Sequence, residues 1–362
     1  MIRVLVAEDS PTARALLVSM LTSDPEITVV GEAHNGAEAV MLADSLRPDL
    51  ITMDVQMPEV DGLEATVQIM TRVPVPIIVV SSLASTSEVE LSLEATRAGA
   101  LMVLPKPEGP LSPRYEEQRS QLVSAVKSMA QVKVVRRWGA SNAALRPPSL
   151  MPAALGTTSS TRARRTPVGM RALGAERPRI VVIGASTGGP AALRDLFAEM
   201  PADFPVPVLV VQHISKGFVG GLALWLRASA QMRVKVAEAG TVAKPGTVYI
   251  APDDRHLAIE DDFRITLSNA PPIGSFRPSA SHLFSSAARA FGSATVALIL
   301  TGMGDDGLLG LRDVRAAGGL VIAQDEATSV IYGMPREAVR AGVVHSILPL
   351  GEMAVRLSEV VA

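Results

Sequence analysis

A serine framed by glycines follows an apolar run in the second half of the chain. Residues 179–183 are rich in β-branched side chains, the segment 184–189 reads Gly-Ala-Ser-Thr-Gly-Gly, and Pro190 opens a helical pattern. These features predict a strand, a sharp turn and a helix, with Ser186 at the turn. A serine held there can act as a nucleophile, and the amides of Gly188 and Gly189 near the helix N-terminus could hold a developing negative charge.

A nucleophilic serine needs a base, and a histidine follows the next predicted strand. Val206–Val211 predicts a strand that ends at Gln212 and His213, one helix after the serine. If the crossover is right-handed and the strands pair, the two strand ends lie about 5 Å apart. Val296–Leu300 predicts a further strand, which runs into Asp305 and Asp306. A carboxylate at that third strand end could orient the histidine.

The glycine-rich turn also has other interpretations. It could be an ordinary strand-to-helix turn, and the order serine, histidine, aspartate differs from that of the α/β-hydrolases, in which the histidine comes last. A dinucleotide site is disfavoured because the turn lacks the middle glycine of that motif and no acid ends the second strand. Two further histidines, His256 and His282, could line the site, whereas His34 and His345 are expected to be structural.

The first 125 residues alternate strand and helix signals, which predicts a doubly wound parallel sheet. Strands are predicted at Ile2–Ala7, Ile27–Val30, Leu50–Met53, Pro76–Val80 and Leu101–Leu104. In such a sheet, sites form at the carboxyl ends of the strands. The polar residues expected at those ends are Glu8, Asp9, Asp54, Ser81 and Lys106.

These strand-end residues suggest phosphoryl chemistry. Three carboxylates at one sheet edge repel one another unless a cation neutralises them, and an all-oxygen ligand set favours Mg²⁺. A carboxylate beside Mg²⁺ can attack a phosphoryl donor and become an aspartyl phosphate. Lys106 would then pair with the phosphate, and the Ser81 hydroxyl would hydrogen-bond to it. Any one of these acids could equally be a solvated loop residue, but the full set favours a phosphorylation site.

Composition limits the remaining possibilities. The chain has 362 residues, enough for two or three domains, and no cysteine, which excludes disulfides and thiolate chemistry. No apolar run approaches the roughly 18 residues that span a bilayer, and the N-terminus lacks the pattern of a signal peptide. We therefore expect a cytoplasmic protein without membrane insertion.

The formal charge of -2 is unevenly distributed. Residues 1–126 carry 8 Lys and Arg against 18 Asp and Glu, residues 127–179 carry 11 against 1, and residues 180–362 carry 15 against 17. Residues 126–177 are rich in Pro, Ala, Ser, Thr and Arg, which predicts a basic linker that is either a solvated tether or a dock for an acidic partner. Neither flank has the basic footprint of a DNA-reading domain, so no nucleic-acid partner is expected.

The strand-end motifs of residues 1–125 resemble those of two-component receiver domains, which have a flavodoxin-like five-stranded parallel sheet. Besides the five polar residues above, Met57-Pro58, Asp61-Gly62 and Pro107 carry the likeness. It implies that a histidine kinase phosphorylates Asp54, and that Asp9, Asp54 and the Gln56 carbonyl hold Mg²⁺, with Glu8 beside them. Many receivers have an aromatic residue three positions before the lysine, where this chain has Val103.

Residues 178–362 resemble the catalytic domain of the chemotaxis protein-glutamate methylesterases, the CheB family, a doubly wound α/β fold. The likeness is carried by residues 184–189, 212–213, 250–256, 277–279, 300–307, 323–325 and 332–337. It implies a triad of Ser186 as nucleophile, His213 as base and Asp306 as the orienting acid, although Asp305 leaves some ambiguity. It further implies oxyanion donors at the Thr187 and Met303 amides, and no cofactor in this domain.

The same resemblance implies the substrate and its control. The expected reaction is hydrolysis of glutamate methyl esters on chemoreceptors, and deamidation of receptor glutamines, with the unphosphorylated receiver packed over the catalytic cleft. Two rivals stay open at this point. One is a receiver that drives a nucleic-acid-binding output, and the other is an adaptor that binds receptors without catalysis.

Overall fold

The computed structural model describes residues 1–82, 86–132, 134 and 177–362. Almost all of the predicted linker at 126–177 therefore lies outside the described residues. Among the helices that are described, none combines the length and the apolar character that crossing a membrane requires.

The N-terminal unit alternates strands and helices as the sequence predicts. Within the described residues, its strands form one parallel sheet in the order β2-β1-β3-β4-β5. The five-stranded parallel sheet is therefore confirmed. Its elements are β1 Ile2–Ala7, α1 Pro11–Thr22, β2 Ile27–Ala33, α2 Gly36–Leu46, β3 Leu50–Met53, α3 Gly62–Arg72, β4 Ile77–Ser81, α4 Thr86–Ala98, β5 Met102–Pro105 and α5 Tyr115–Met129.

Side-chain caps and one glycine fix the helix starts around the first sheet edge. Ser10 caps α1 by accepting from the Ala13 amide, with Pro11 in the first turn, and Asp61 caps α3 in the same way. Gly62 begins α3 against the end of β3, where a Cβ would lie 1.9 Å from the Asp54 carbonyl oxygen. Only glycine allows this close approach, so Asp61 and Gly62 position the loop that follows Asp54.

The C-terminal unit is a second α/β fold. Within the described residues, its large sheet is parallel, in the order β14-β13-β12-β6-β7-β9-β8, and β10 and β11 form a separate antiparallel pair. Its elements are β6 Ile180–Ala185, α6 Gly189–Glu199, β7 Val208–Gln212, α7 Val219–Ser229, β8 Arg233–Val236, β9 Thr247–Ile250, β10 His256–Ile259, β11 Ile265–Ser268, α8 Ala280–Phe291, β12 Thr295–Ile299, α9 Leu308–Ala316, β13 Leu320–Gln324, α10 Met334–Arg340, β14 Ser346–Leu348 and α11 Leu350–Val361.

Strand β6 occupies the middle of this sheet, and all six of its residues are buried. It pairs with β12 on one side and with β7 on the other. After β6 the chain first forms the part of the sheet that contains β7, and it later adds β12 on the opposite side of β6. Ligand sites of open parallel sheets form where the strand order reverses in this way, outside the carboxyl ends of the strands. The fold thus places Ser186, directly after β6, at the expected location of a site.

Several predicted strand boundaries differ from the observed ones by one to three residues. Strand β7 begins at Val208 rather than Val206, because Pro207 has no amide hydrogen to donate to a neighbouring strand. His345 directly precedes β14, and its ring accepts a hydrogen bond from the Val321 amide at 3.0 Å, a structural contact at the sheet edge.

The two units contact each other through α4 of the first and α6 and α7 of the second. The Glu94 carboxylate accepts a hydrogen bond from Trp225 Nε1 at 2.8 Å and pairs with Arg194, whose guanidinium lies 4.5 Å from the Trp225 ring centroid. At Gly221 a Cβ would lie 2.1 Å from Val89 Cγ1. The missing side chain therefore allows α7 to pack directly on α4.

Candidate active site and phosphorylation site

The turn after β6 holds Ser186 through backbone hydrogen bonds. The Ser186 amide donates to the Thr301 carbonyl at 3.0 Å, and the Ser186 carbonyl accepts from the Gly189 amide at 2.8 Å. Gly188 has φ +77°, a left-handed conformation that glycine adopts readily, and a Cβ there would lie 2.5 Å from Val330 Cβ. The Gly189 amide already donates its hydrogen to the Ser186 carbonyl within this turn, so the expectation that it stabilises a substrate oxyanion was wrong.

Gln212 ties the serine to the histidine, a role the sequence did not reveal. Its side chain is buried, and its Nε2 donates to the Ser186 carbonyl and to the His213 carbonyl, each at 2.8 Å. The His213 amide in turn donates to the Ala185 carbonyl at 2.9 Å. One amide group thereby fixes the backbones of both residues at the ends of neighbouring strands.

Asp306 reaches the histidine from the other side of β6. Its Oδ2 lies 2.9 Å from His213 Nε2, and the carboxylate also accepts from Ser279 Oγ at 2.7 Å and from the Ala280 amide at 2.6 Å. The contact is made by Asp306 rather than the neighbouring Asp305, which is exposed. The geometry therefore favours Asp306 as the orienting acid.

The charge state of Asp306 follows from these contacts. Burial by itself raises the pKa of a carboxyl group, but the hydrogen bonds from His213, Ser279 and Ala280 outweigh it and lower the pKa of Asp306 to about 2. The carboxylate also lies at the N-terminus of α8, where a negative charge is stabilised by the helix dipole. Asp306 is thus ionised at neutral pH and can only accept hydrogen bonds.

An ionised acceptor fixes the tautomer of His213. Because Asp306 cannot donate, Nε2 must carry the proton in their hydrogen bond. The other ring nitrogen, Nδ1, is buried and has no hydrogen-bond partner in the described part of the chain. A free lone pair at Nδ1 is what a general base requires. The ring nitrogens therefore exchange the places they have in the chymotrypsin-type triad, in which Nδ1 faces the acid.

Further side chains hold the histidine and the acid in place. Phe276 stacks on the His213 ring, with centroids 4.2 Å apart and planes at 11°. His256 is fully buried: its Nδ1 accepts from the Ser279 amide at 3.2 Å, and its Nε2 contacts the Pro271 carbonyl at 3.1 Å. His256 therefore supports Ser279 instead of lining the cleft, and His282 stacks on it with centroids 4.7 Å apart.

A cavity of about 630 Å³ opens over the serine, and its walls include the two residues proposed as oxyanion donors. Thr187 and Met303 lie on this wall together with Ser186 and His213. Within the described residues, neither the Thr187 amide nor the Met303 amide donates a hydrogen bond. Both amides are therefore available to a substrate oxygen, and the assignment of this role stays a prediction.

The first sheet edge gathers the predicted phosphorylation residues. Lys106 Nζ lies 2.8 Å from Asp54 Oδ2 and 2.9 Å from Glu8 Oε1, and both carboxylates are buried. Burial raises the pKa of Asp54, and it raises the pKa of Glu8 with a further contribution from the Asp54 charge. Burial disfavours the ammonium of Lys106, but its hydrogen bonds to the two acids outweigh this and raise its pKa.

The acid cluster fits a divalent cation. One carboxylate oxygen from each of Glu8, Asp9 and Asp54 lies within 4.8 Å of the others. Glu8 Oε2 is buried and has no partner in the described part of the chain. A cation would relieve both this unpaired oxygen and the repulsion that raises the pKa of Glu8. The Gln56 amide donates to Asp54 Oδ1 at 3.4 Å, while the role of its carbonyl as a ligand stays a prediction.

Ser81 is placed at the end of β4, on the same sheet edge. The side chain is buried, and its hydroxyl donates to the neighbouring Ser82 carbonyl at 3.4 Å, near the limit of a hydrogen bond. That weak bond leaves the hydroxyl able to turn toward another acceptor. Val103, at the position where many receivers have an aromatic residue, is buried, and its carbonyl accepts from Ser215 Oγ of the C-terminal unit at 2.9 Å.

Comparison with known proteins agrees with both sites. The response regulator receiver domain model matches residues 4–112, and the CheB methylesterase model matches residues 181–357. A protein-glutamate methylesterase/protein-glutamine glutaminase of Myxococcus xanthus is 52% identical over 99% of this chain and 96% of its own length. The chain belongs to the CheB methylesterase family. Relatives of the same name from Anaeromyxobacter dehalogenans and Nitrosospira multiformis are 47% and 42% identical, over 99% and 100% of this chain and 98% of each relative.

The CheB family thus accounts for a receiver and a catalytic unit in one chain. The structure brings Ser186, His213 and Asp306 to three adjacent strand ends. Sequence reasoning missed Gln212 and Phe276 as supports, and it assigned no role to Ser279. The only available signal was the position of Gln212 directly before the histidine, at the end of an apolar strand.

Proposed function

We propose that this chain hydrolyses the γ-methyl esters of glutamate side chains on chemoreceptor proteins, and deamidates receptor glutamines, under the control of Asp54 phosphorylation. The relatives that span nearly the whole chain are named for these two activities. The observation that carries the proposal is the hydrogen bond from His213 Nε2 to Asp306, which leaves Nδ1 without a partner among the described residues, while Ser186 and His213 line the same cavity.

The proposed reaction begins with proton transfer from Ser186 to His213 Nδ1. Ser186 Oγ attacks the ester carbonyl carbon, and the proton on Nδ1 passes to the departing methoxide, which leaves as methanol. Water then attacks the acyl-enzyme, gives its proton to the same nitrogen, and releases the glutamate carboxylate and the free serine. With a glutamine substrate, ammonia takes the place of methanol and the other steps are unchanged.

The surrounding groups stabilise the charges that develop. Asp306 is ionised and stabilises the imidazolium that forms on His213, while Ser279 and the start of α8 hold Asp306 in place. The amides of Thr187 and Met303 would donate to the oxyanion of the tetrahedral intermediate, which typically contributes about 3 kcal/mol for each donor. Phe276 limits rotation of the His213 ring by stacking on it.

The receiver would be phosphorylated by a histidine kinase on Asp54. Asp9, Asp54 and the Gln56 carbonyl would hold Mg²⁺, which supplies positive charge to the phosphoryl group when bound. Lys106 already contacts Asp54 and would move to a phosphoryl oxygen, and Ser81 could turn its hydroxyl toward the same group. A cytoplasmic location stays a prediction from the sequence.

Release of methanol from a methylated receptor tests the proposal. Full-length protein is expected to release methanol faster when Mg²⁺ and acetyl phosphate are added, and Ser186→Ala is expected to release none above about a thousandth of the wild-type rate. A Ser186→Ala variant that still demethylates the receptor would refute the proposal. Binding of receptor without methanol release would favour an adaptor, which the names of the relatives do not support.

A further inference from the structure

Two backbone amides at the wall of the cavity over Ser186 have no acceptor in the described part of the chain. They are the amides of Thr187 and Met303, which are the proposed oxyanion donors. Such a donor is effective only when its hydrogen points at the place where the oxyanion forms, about 3 Å from the amide nitrogen. The groups that fix the direction of these two amides therefore affect the rate without touching the substrate.

The direction of each amide is set by the carbonyl of the residue before it. The Ser186–Thr187 and Gly302–Met303 peptides are trans and planar, so the N–H of each points opposite to its C=O in the same plane. A group that holds the carbonyl therefore also aims the N–H. Hydrogen bonds to the carbonyl polarise the peptide as well, which makes its N–H a stronger donor.

The Ser186 carbonyl is held by two donors. The Gly189 amide and Gln212 Nε2 each lie 2.8 Å from it. A carbonyl oxygen has two lone pairs, so both are occupied. Rotation of this peptide would break both hydrogen bonds, and the Thr187 N–H is therefore kept on the side opposite to Gln212.

Gln212 is used here as a donor. Its Nε2 also donates to the His213 carbonyl at 2.8 Å, and because both partners are carbonyls, the nitrogen rather than the oxygen must face them. Its Oε1 is buried and has no partner among the described residues, which is unfavourable for stability. A Cβ at Gly189 would lie 2.0 Å from this oxygen, so the glycine gives the side chain its space beneath the turn.

The Met303 amide is held in the same way by the start of α10. The Gly302 carbonyl accepts from the Gly333 amide at 3.1 Å and from the Met334 amide at 2.8 Å. A Cβ at Gly333 would lie 2.5 Å from the Gly302 oxygen, and a Cβ at Gly302 would lie 2.7 Å from Ser186 Cβ. The two glycines thus allow this peptide to lie against the nucleophile with its carbonyl fully occupied.

We propose that Gln212 is a positioning residue for the oxyanion site, because its Nε2 holds the Ser186 carbonyl and thereby aims the Thr187 amide at the substrate oxygen. This inference rests on the proposed function of the same site. The Met303 amide is aimed by backbone groups alone, so Gln212 is the side chain through which the geometry can be altered. Without its donor, the Thr187 amide remains but is free to turn away from the oxyanion.

The first test is the kinetics of Gln212→Met, which removes the donor and keeps the length of the side chain. Methanol release from methylated receptor is measured with full-length protein, acetyl phosphate and Mg²⁺. We expect kcat to fall about 10- to 100-fold and KM to stay within about twofold, because the lost interaction exists only in the transition state. Gln212→Glu, which has the same shape as glutamine and no N–H, should show the same split, so either variant that folds carries the test.

Thr295→Val is the matched control for loss of a buried hydrogen bond. Its hydroxyl donates to the Ala287 carbonyl at 3.1 Å, at the start of β12 and away from the catalytic residues. We expect this variant to lose stability in denaturant titrations and to keep the wild-type kcat. An equal fall of kcat in Thr295→Val and Gln212→Met would overturn the inference, because any buried defect would then have the same effect.

A second pair of variants tests the Thr187 amide itself. Residues 186–189 form a β-turn closed by the Gly189 amide, and Gly188 has φ +77° and ψ -6°, the values of the third position of a type II turn. Proline is favoured at the second position, which is Thr187, so Thr187→Pro removes the amide hydrogen from a turn that accepts proline. Thr187→Ala measures the separate effect of the side chain. We expect kcat of Thr187→Pro to lie about 10²–10³-fold below that of Thr187→Ala.

The double variant decides whether Gln212 acts through this amide. Adding Gln212→Met to Thr187→Pro should lower kcat by less than about threefold further, because the amide that Gln212 aims is already gone. Losses that multiply would overturn the inference, and so would an unchanged kcat or a rise in KM alone in the Gln212 variants. Wild-type protein that releases no methanol under these conditions would instead refute the proposed function.

Discussion

Loss of the Ser279 hydroxyl is expected to slow catalysis, because this hydroxyl holds the carboxylate of Asp306 that orients His213. Ser279→Ala removes the 2.7 Å hydrogen bond to Asp306 Oδ1 and leaves the contacts of Asp306 with His213 and with the Ala280 and Ser281 amides. A hydrogen bond to a buried charged group contributes about 1.5–3 kcal/mol. We expect roughly half of that to be lost in practice, because the remaining donors and water compensate in part.

The magnitude can be bounded from Asp306 itself. Its pKa is lowered from 3.8 to about 2, which corresponds to roughly 2 kcal/mol of net stabilisation of the carboxylate over the acid. Removing one of the four donors, and the second shortest of their contacts, should return about one third to one half of this, or ~1 kcal/mol. The carboxylate then orients the Nε2 proton of His213 less firmly, so we expect the transition state to lose stabilisation of the same order.

The assay is the pH profile of kcat/KM for methyl-ester hydrolysis between pH 5 and 9. The charged residues on the elements around His213 are Asp306 and Asp305 after β12, Lys216 on its own loop, Asp253 and Asp254 after β9, and Arg277 before α8. The substitution replaces none of these residues and acts on them only through the lost hydrogen bond to Asp306, so a change in rate can be assigned to the lost hydroxyl. We expect kcat/KM of Ser279→Ala to fall by roughly fivefold across this range, which corresponds to ~1 kcal/mol.

Two variants serve as controls for this prediction. Ser279→Thr keeps a hydroxyl and should recover most of the wild-type profile. Ser285→Ala lies on the same helix, and its hydroxyl contacts Asp313 at 2.5 Å, away from the catalytic groups, so it should leave the profile unchanged. An unchanged kcat/KM in Ser279→Ala, or an equal loss in Ser285→Ala and Ser279→Ala, would refute the reasoning, because the lost hydrogen bond to Asp306 would then not explain the rate.

Three further predictions follow from individual contacts. Asp306→Asn should lower kcat by about 10³–10⁴-fold, because an amide can donate to Nε2 and favour the wrong tautomer of His213. Asp305→Asn, at the exposed neighbouring position, should retain near-normal turnover. Comparable losses of kcat in the two variants would contradict the assignment of Asp306. Asp306→Asn should also reduce the loss of folding stability in acid. The lowered folded-state pKa of Asp306 contributes roughly 2 kcal/mol to the free energy of unfolding above pH 3.8, and this contribution is lost as the pH falls toward 2. The free energies of unfolding from denaturant titrations at pH 2 and pH 4 should therefore differ less in the variant. Asp54→Asn should abolish both incorporation of phosphate from acetyl phosphate and the donor-dependent rise in demethylation, and a phosphate signal that survives on a gel would place the modification elsewhere.

The strand-end residues were the part of both sites that the sequence could predict. Apolar runs of five or six residues predict buried parallel strands, and the residues after them share one sheet edge whatever the details of packing. This is why Asp54 and Lys106 are found together, and why Ser186 and His213 follow paired strands. The boundaries were less certain because the pattern does not show which amides pair, as Pro207 demonstrates at the start of β7.

The supporting residues could not be predicted because their partners come from distant segments. Ser279 reaches Asp306 across 27 positions, and Gln212 reaches the Ser186 carbonyl across 26. A polar residue gives no sign in the sequence of which distant group it will contact. The same holds for Glu94 and Trp225, which join the two units across 131 positions, and for the antiparallel β10–β11 pair, whose four-residue strands are too short for a clear periodicity.

The identity of the nucleophile is tested most directly by trapping the acyl-enzyme. Full-length protein is mixed with an activated small ester, quenched in acid within the first turnover, digested and examined by mass spectrometry. The account predicts one acyl group on the peptide that contains Ser186, and none when the same experiment is done with Ser186→Ala. An acyl group on another residue, or continued turnover by Ser186→Ala at the wild-type rate, would contradict it.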